Sequence, residues 1–321
     1  MNDGWGRFLL RRLVRVVVVA LVLVTVVFVA VRLVPGDPAV KAIGTLGELS
    51  AEEQDRVIER TRQDLHLDEA LPVQYARAVK SAVTFDFGTS VEKRQPVRTV
   101  VADRLWSTVR LALAGTLVVV GLAVPLGMLV ALLTDGNRRK GLELGFGAGT
   151  GFIGSIPPYV LAVLLIYGFA YSLSWFPRVP EGSWTDEVLP ALAVGLGPAL
   201  LLARVVRLET LGVLAQDYVR TARSKRLPSW RMMTRDVLPN VLTPAITIGG
   251  VIFSSLIGGT VVVEGIFNRN GLGSALVAAI QVGDFPVVQA IALLIGFAVV
   301  VVNTLADVAI AAIDPRTTVA A

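Results

Sequence analysis

Cysteine is absent from this chain, so disulfides, iron–sulfur clusters and thiol nucleophiles are excluded by inventory alone. Histidine is almost absent as well. His66 stands alone in a polar stretch, with no second histidine or cysteine to complete a transition-metal site, and reads as a solvated surface side chain. A Ser–His–Asp set cannot form in the apolar runs, since none of them contains a histidine. Charge is also scarce where it would matter for a soluble core: 54% of the residues are apolar, and they gather into runs instead of amphipathic spacing. That distribution belongs to a bilayer. A net charge of +5 would suit a nucleic-acid partner, but the basic residues fall between the apolar runs without aromatic interleaving, as membrane topology requires.

Six runs are long enough to cross a hydrocarbon core, near residues 8–34, 105–134, 144–175, 187–209, 241–266 and 287–313. The first begins with Arg7, Arg11, Arg12 and Arg15 and approaches the length of a span, beyond the roughly 7–15 residues of a signal-peptide core. No small-x-small cleavage site precedes the turn Pro35-Gly36-Asp37-Pro38, so an uncleaved first span is expected. Three regions follow: the N-terminal end and first span over 1–34, a polar subdomain over 35–104, and a membrane core over 105–321 that includes a basic loop at 208–240. Within the polar subdomain a helix is expected from about Ala51 to Leu65, opened by Ser50 as N-cap with Glu53 completing a capping box. Glu52, Glu53, Asp55 and Glu59 are its solvated face.

Orientation follows from the short loops. Arg138, Arg139 and Lys140 fill one, and eight Lys/Arg lie from Arg204 to Arg235, whereas the alternate loops offer only Arg178 and Arg269. The positive-inside rule then puts both termini in the cytoplasm and residues 35–104 outside. Small residues recur four apart at Ala191, Gly195, Ala199 and Ala203 and at Gly250, Ser254 and Gly258, which marks close helix packing. Pro125, Pro157, Pro158 and Pro198 are expected to bend their helices.

Two phosphate-loop lookalikes fail on context. Gly149-Thr150-Gly151-Phe152-Ile153-Gly154 fits G-x-G-x-x-G inside an apolar run with no strand before it, and Gly136 to Gly141 is followed by Leu142 where a P-loop needs lysine. This chain is therefore expected to bind no nucleotide by these motifs and to carry no enzyme activity. Two acids fall within spans. Asp307, seven residues before Asp314, is within reach of a cytoplasmic arginine, and Glu264 near the outer end of the fifth span is open to hydration or to an arginine partner. The loop Leu208–Asn240 holds more. Leu211, Leu214, Ala215, Tyr218, Ala222 and Leu227 are spaced as one helix face interrupted at Pro228, and a second short helix from Trp230 to Leu238 would take Ser229 as N-cap. Such a basic, amphipathic pair suits anionic lipid or a protein groove equally.

The string Gln216-Asp217-Tyr218-Val219-Arg220-Thr221-Ala222-Arg223, with Leu238-Pro239, resembles the cytoplasmic loop of the permease subunits of the dipeptide, oligopeptide and nickel class of ABC importers. Further matches run along the chain: Leu33-Val34-Pro35-Gly36-Asp37-Pro38-Ala39, Phe87-Gly88-Thr89-Ser90, Ser155-Ile156-Pro157-Pro158, Val263-Glu264-Gly265-Ile266-Phe267 with Gly271-Leu272-Gly273, Asp284-Phe285-Pro286-Val287-Val288-Gln289, and Asp314-Pro315-Arg316. The resemblance implies an all-α, type I importer permease in a prokaryotic inner membrane, paired with a second, homologous permease, two cytoplasmic ATPase subunits and an extracytoplasmic substrate-binding protein. ATP and magnesium would reside on the ATPase subunits, none on this chain, and the cargo would be a di- or oligopeptide, or nickel or another small solute. The ATPase-coupling residues would be Gln216, Asp217, Tyr218, Arg220, Thr221, Ala222, Arg223, Lys225, Arg226, Leu238 and Pro239, with Tyr218 and Ala222 facing the docking groove. One departure is visible: Arg226 stands where that loop usually bends at glycine, leaving Leu227-Pro228 to supply the turn. The alternative classes are an ion-coupled secondary transporter, which would need midplane carboxylates or broken helices, and a membrane-anchored assembly protein.

Overall fold

The computed structural model describes residues 2–33, 40, 51–64, 66–137, 139–179, 182–225 and 228–313. Among these residues the chain is all α, with extended chains meeting only at an isolated bridge between Thr89 and Pro96. The helices are α1 (Asn2–Leu33), α2 (Ala51–Asp64), α3 (Leu71–Thr84), α4 (Val97–Thr134), α5 (Lys140–Gly154), α6 (Pro158–Leu165), α7 (Val188–Leu214), α8 (Asp217–Ser224), α9 (Ser229–Met232), α10 (Leu238–Ile266), α11 (Leu272–Val282) and α12 (Phe285–Ile313). Among the described residues five helical stretches are long and apolar enough to cross a bilayer: Arg11–Leu33, Val97–Thr134, Trp184–Leu214, Ile248–Ile266 and Phe285–Ala306.

The expected third span, 144–175, is not one straight helix. It is two, α5 and α6, bent by 95° at the break. Pro157 takes the extended backbone (φ −57°, ψ 142°) that a residue before proline prefers, and Pro158 opens the next helix where its missing N–H costs nothing. Ser155 closes α5 by donating its hydroxyl to the Gly151 carbonyl at 2.7 Å. A π-helical stretch, Ile166–Ser172, follows α6. By contrast α4 and α7 run through Pro125 and Pro198 as single helices. At 38 residues α4 is about 57 Å long, well beyond a core of roughly 30 Å, and it starts inside the segment expected to lie outside. The expected N-cap Ser50 and the turn at residues 35–38 lie outside the described residues.

Contacts divide the chain into two compact units, 1–108 with 269–301 and 109–268 with 302–321. In the first unit α1 and α3 pack together: Phe28 meets Tyr75 edge-on at 5.3 Å, the Thr25 and Tyr75 hydroxyls are 2.8 Å apart, and Arg32 donates to the Gln74 amide. Val97 and Val100 share a second cluster with Leu272, Val287 and Ile291. His66 here lies 3.5 Å from the Glu69 carboxylate.

The second unit is organised around α7, which packs against α5, α6 and α10. Its stripe Ala191, Gly195, Ala199 and Ala203 is buried. A Cβ on Gly195 would sit 2.8 Å from the Gly115 carbonyl oxygen, and one on Gly127 would sit 2.6 Å from that of Ala203, so α4 and α7 touch backbone to backbone at two levels. The other expected stripe splits. A Cβ on Gly250 would lie 2.7 Å from that of Ala306, and Ser254 donates to Asn303 at 2.7 Å, while Gly258 faces open space.

Gly127→Ala is expected to destabilise the detergent-solubilised protein by about 1–3 kcal/mol through overpacking. Gly121→Ala on the same helix, where a Cβ meets nothing within 4 Å, should be silent. Thermal unfolding followed by fluorescence-detected gel filtration distinguishes the two, and equal melting temperatures would show that the α4–α7 approach is not tight.

Candidate functional site

The basic loop is built by ending one helix and restarting another out of phase. α7 stops at Leu214, and the Ala215 N–H still reaches the Leu211 carbonyl at 3.2 Å. Gln216 then offers its carbonyl to the Val219 N–H at 3.1 Å, and α8 begins with Asp217, a carboxylate in the first turn where the helix dipole favours negative charge. Thr221 closes onto the Asp217 carbonyl at 3.0 Å.

This restart changes which residues face inward. Val219 is fully buried and Ala222 nearly so, in one cluster with Leu214, Met232, Met233 and Val237. Gln216, Asp217, Thr221, Ser224 and Lys225 are exposed, and Tyr218 is 47% exposed. The expectation that Ala222 joins Tyr218 on an outward face is therefore corrected: Ala222 packs against the chain's own core. A single continuous face from Leu211 to Leu227 would pair Tyr218 with Ala222, but the break at Ala215-Gln216 rotates α8 so that Val219 and Ala222 form the inner stripe. Ala215, expected on the apolar face, is exposed. The side chains of Arg220 and Arg223, and Arg226 with Leu227 entirely, lie outside the described residues.

The return limb is also different from expectation. The Pro228 carbonyl accepts from the N–H groups of Arg231 and Met232 at 3.0 and 3.1 Å, so Pro228 holds the capping position and Ser229 is the first helical residue. α9 leads through a π-helical turn, Met233–Val237, into α10 without a break in helix, and Leu238-Pro239 open that span with Pro239 exposed. Asn240 ties the limbs together by donating to the Tyr218 hydroxyl at 3.2 Å and to the Asp236 carbonyl at 2.8 Å. Val219, Met232, Met233, Val237 and Asn240 escape a reading focused on charge. Their signal is an apolar pair on each side of the proline, at i,i+3 in α8.

Of the two acids within spans, for which hydration or an arginine partner was expected at Glu264, Glu264 is fully buried on α10. Asp307 lies on α12, with its side chain outside the described residues. In the first unit two of the quoted stretches meet: the Ser90 hydroxyl donates to the Asp284 carboxylate and accepts from the Lys93 N–H at 3.0 Å.

Comparison with known proteins gives a match along almost the whole chain. Residues 112–319 match the family described as binding-protein-dependent transport system inner membrane component, and residues 6–112 match the N-terminal region described for such membrane components. The glutathione transport system permease protein GsiC of Salmonella paratyphi A is 36% identical over 311 residues, covering 96% of this chain and 97% of that one. Its namesake in Pectobacterium atrosepticum is 35% identical over 309 residues, with 96% and 97% covered. A protein of Brucella abortus, provisionally named a peptide transport system permease, is 35% identical over 316 residues, with 96% and 98% covered.

Because Ala222 is part of the chain's own packing, Ala222→Glu should unseat α8 by burying an unpaired charge, at a cost of several kcal/mol. Tyr218→Ala, at an exposed ring, should leave the fold intact. Limited proteolysis of the purified chain at the 215–228 loop checks both, and protection of the Ala222→Glu variant at the wild-type level would contradict the burial.

Proposed function

This chain belongs to the binding-protein-dependent transport system inner membrane components, and from that premise we propose that it is the permease through which an ATP-driven importer takes up peptides. As an ABC importer permease it is a multi-pass membrane subunit that works with ATPase and substrate-binding partners. The finer assembly we propose is a heterodimer with a second, related permease, two cytoplasmic ATPase subunits that hold ATP and magnesium, and an external binding protein that delivers the cargo. Both termini are cytoplasmic in this scheme, and residues 35–104 face outward to meet that protein. No catalytic group is assigned to this chain.

The observation that carries the cargo class is the similarity, over nearly the full length of both chains, to permeases named for glutathione and peptide transport. Glutathione is itself a peptide, so a small peptide is the cargo that unites these names. For coupling, the surface is the outer side of α8 together with the exposed start of α10. Tyr218 serves as an aromatic anchor of the kind enriched at binding hot spots, with Gln216, Asp217, Thr221 and Lys225 also exposed on this segment and Pro239 exposed at the start of α10; the sequence adds positive charge at Arg220, Arg223 and Arg226. Ala222 contributes from beneath, by seating the helix.

Two measurements test this function. In proteoliposomes holding the permease pair, the ATPases and the loaded binding protein, labelled glutathione or dipeptide should enter only when ATP is supplied, and uptake driven by an ion gradient alone would overturn the reading. For topology, single cysteines replace Val83, which is 75% exposed on α3, and the exposed Ser224 of this cysteine-free chain. An impermeant thiol reagent on spheroplasts should label Val83→Cys and spare Ser224→Cys, and the reverse pattern would invert the proposed orientation.

A further inference from the structure

We propose that Arg207 is a positioning residue that makes the first half of the broken span, α5, follow the coupling helix α8. The inference rests on the reading of α8 as the ATPase-docking element. It adds a specific route by which displacement of that element enters the membrane.

Arg207 lies on α7, seven residues before the helix ends at Leu214, or about 10 Å at the helical rise. Its side chain is only 11% exposed. One guanidinium nitrogen, Nη2, donates to the Glu143 carboxylate at 2.8 Å and to the Thr134 hydroxyl at 3.3 Å. Thr134 is the buried last residue of α4, and Glu143 sits in the first turn of α5, where its charge also favours the helix N-terminus. A single group on α7 thus holds the end of one helix and the start of the next across the turn at 135–139.

The pair adds a polar tie to the packing of α5 on α7. Gly141, Gly145, Gly147, Gly149 and Gly151 each face open space, with nothing within 4 Å of a would-be Cβ. Phe146, Thr150 and Ile153 are at least partly buried on α5. At its far end α5 stops at the proline break and turns by 95° into α6. The helix is therefore a short rod packed on α7, with the Arg207–Glu143 pair at one end and the proline break at the other. α7 in turn continues into α8 through only Ala215 and Gln216, and α8 is seated by Val219 and Ala222 in the same core. A push on α8 moves α7, and Arg207 passes the motion to α5.

The guanidinium is also incompletely used. Its Nε is buried and has no hydrogen-bond partner among the described residues. A leftover donor on a buried charge is unfavourable, and a pivot of α5 that brought an acceptor to it would satisfy it.

The test uses the complete complex reconstituted with its ATPases and binding protein, measuring both ATP hydrolysis stimulated by loaded binding protein and peptide uptake. Arg207→Gln should cut uptake per ATP hydrolysed about tenfold while assembly and stimulated hydrolysis stay near wild type, a loss within the usual range of coupling between sites. Glu143→Gln should act in the same direction, and the double variant should be no worse than Arg207→Gln alone, since both remove one interaction. The proposal is overturned if uptake per ATP is unchanged, if hydrolysis and assembly fall together with uptake, or if the two substitutions add. Loss of ATPase co-purification in Tyr218→Ala reports on the docking reading separately, so the two can fail independently.

Discussion

The contact between α4 and α7 fixes the rest of the second unit. Lipid tails are as apolar as leucine, so helices in a bilayer gain little from hydrophobic burial and must be held by close packing and a few polar contacts. Where Gly127 faces the Ala203 carbonyl and Gly195 faces that of Gly115, the two backbones approach so closely that a methyl group does not fit at Gly127 or Gly195. Such an approach admits one relative placement of the pair. Leu111, Val119 and Ala123 on α4 and Ala199, Leu202 and Val206 on α7 then close a core against which α5, α6 and α10 pack.

A rigid α7 gives the basic loop its mechanical meaning. The loop's inner face is continuous with the membrane core through Val219, Ala222, Met232 and Met233. Two helix irregularities bracket it: the two-residue break after Leu214 and the π-helical turn Met233–Val237 before α10. Irregularities of the second kind are frequent at functional positions, since they shift phase without ending the helix. α8 is consequently joined to α7 on one side and α10 on the other, and those two helices also pack on each other. Force applied at Tyr218 reaches both.

Much of this was legible in the sequence, for identifiable reasons. Long uncharged runs marked the spans because the bilayer sets a minimum length, and the small-residue stripe on α7 announced its close packing. The proline pair at 157–158 signalled a bend, but its angle depends on where α6 finds packing against α7, which no local pattern encodes. In the loop, spacing alone put Tyr218 and Ala222 on one face. It could not show that the helix restarts at Asp217, because the break is stabilised by backbone bonds from Ala215 and Gln216 that any residues could make. The Arg207–Glu143 pair was hidden for a different reason: the residues are 64 apart in sequence, Arg207 was counted only among the basic charges from Arg204 to Arg235, and no pattern singled out Glu143.

The central claim is that α8 and α7 move as one body. In the assembled complex, spin labels on Leu201→Cys of α7 and Ser224→Cys of α8, both exposed in the cysteine-free chain, measure that directly by pulsed electron–electron resonance. The distance should be the same, within the width of its distribution, in the nucleotide-free state and in the ATP-bound state trapped with vanadate. A shift of several ångströms between those states would contradict the claim and place a hinge at Ala215-Gln216.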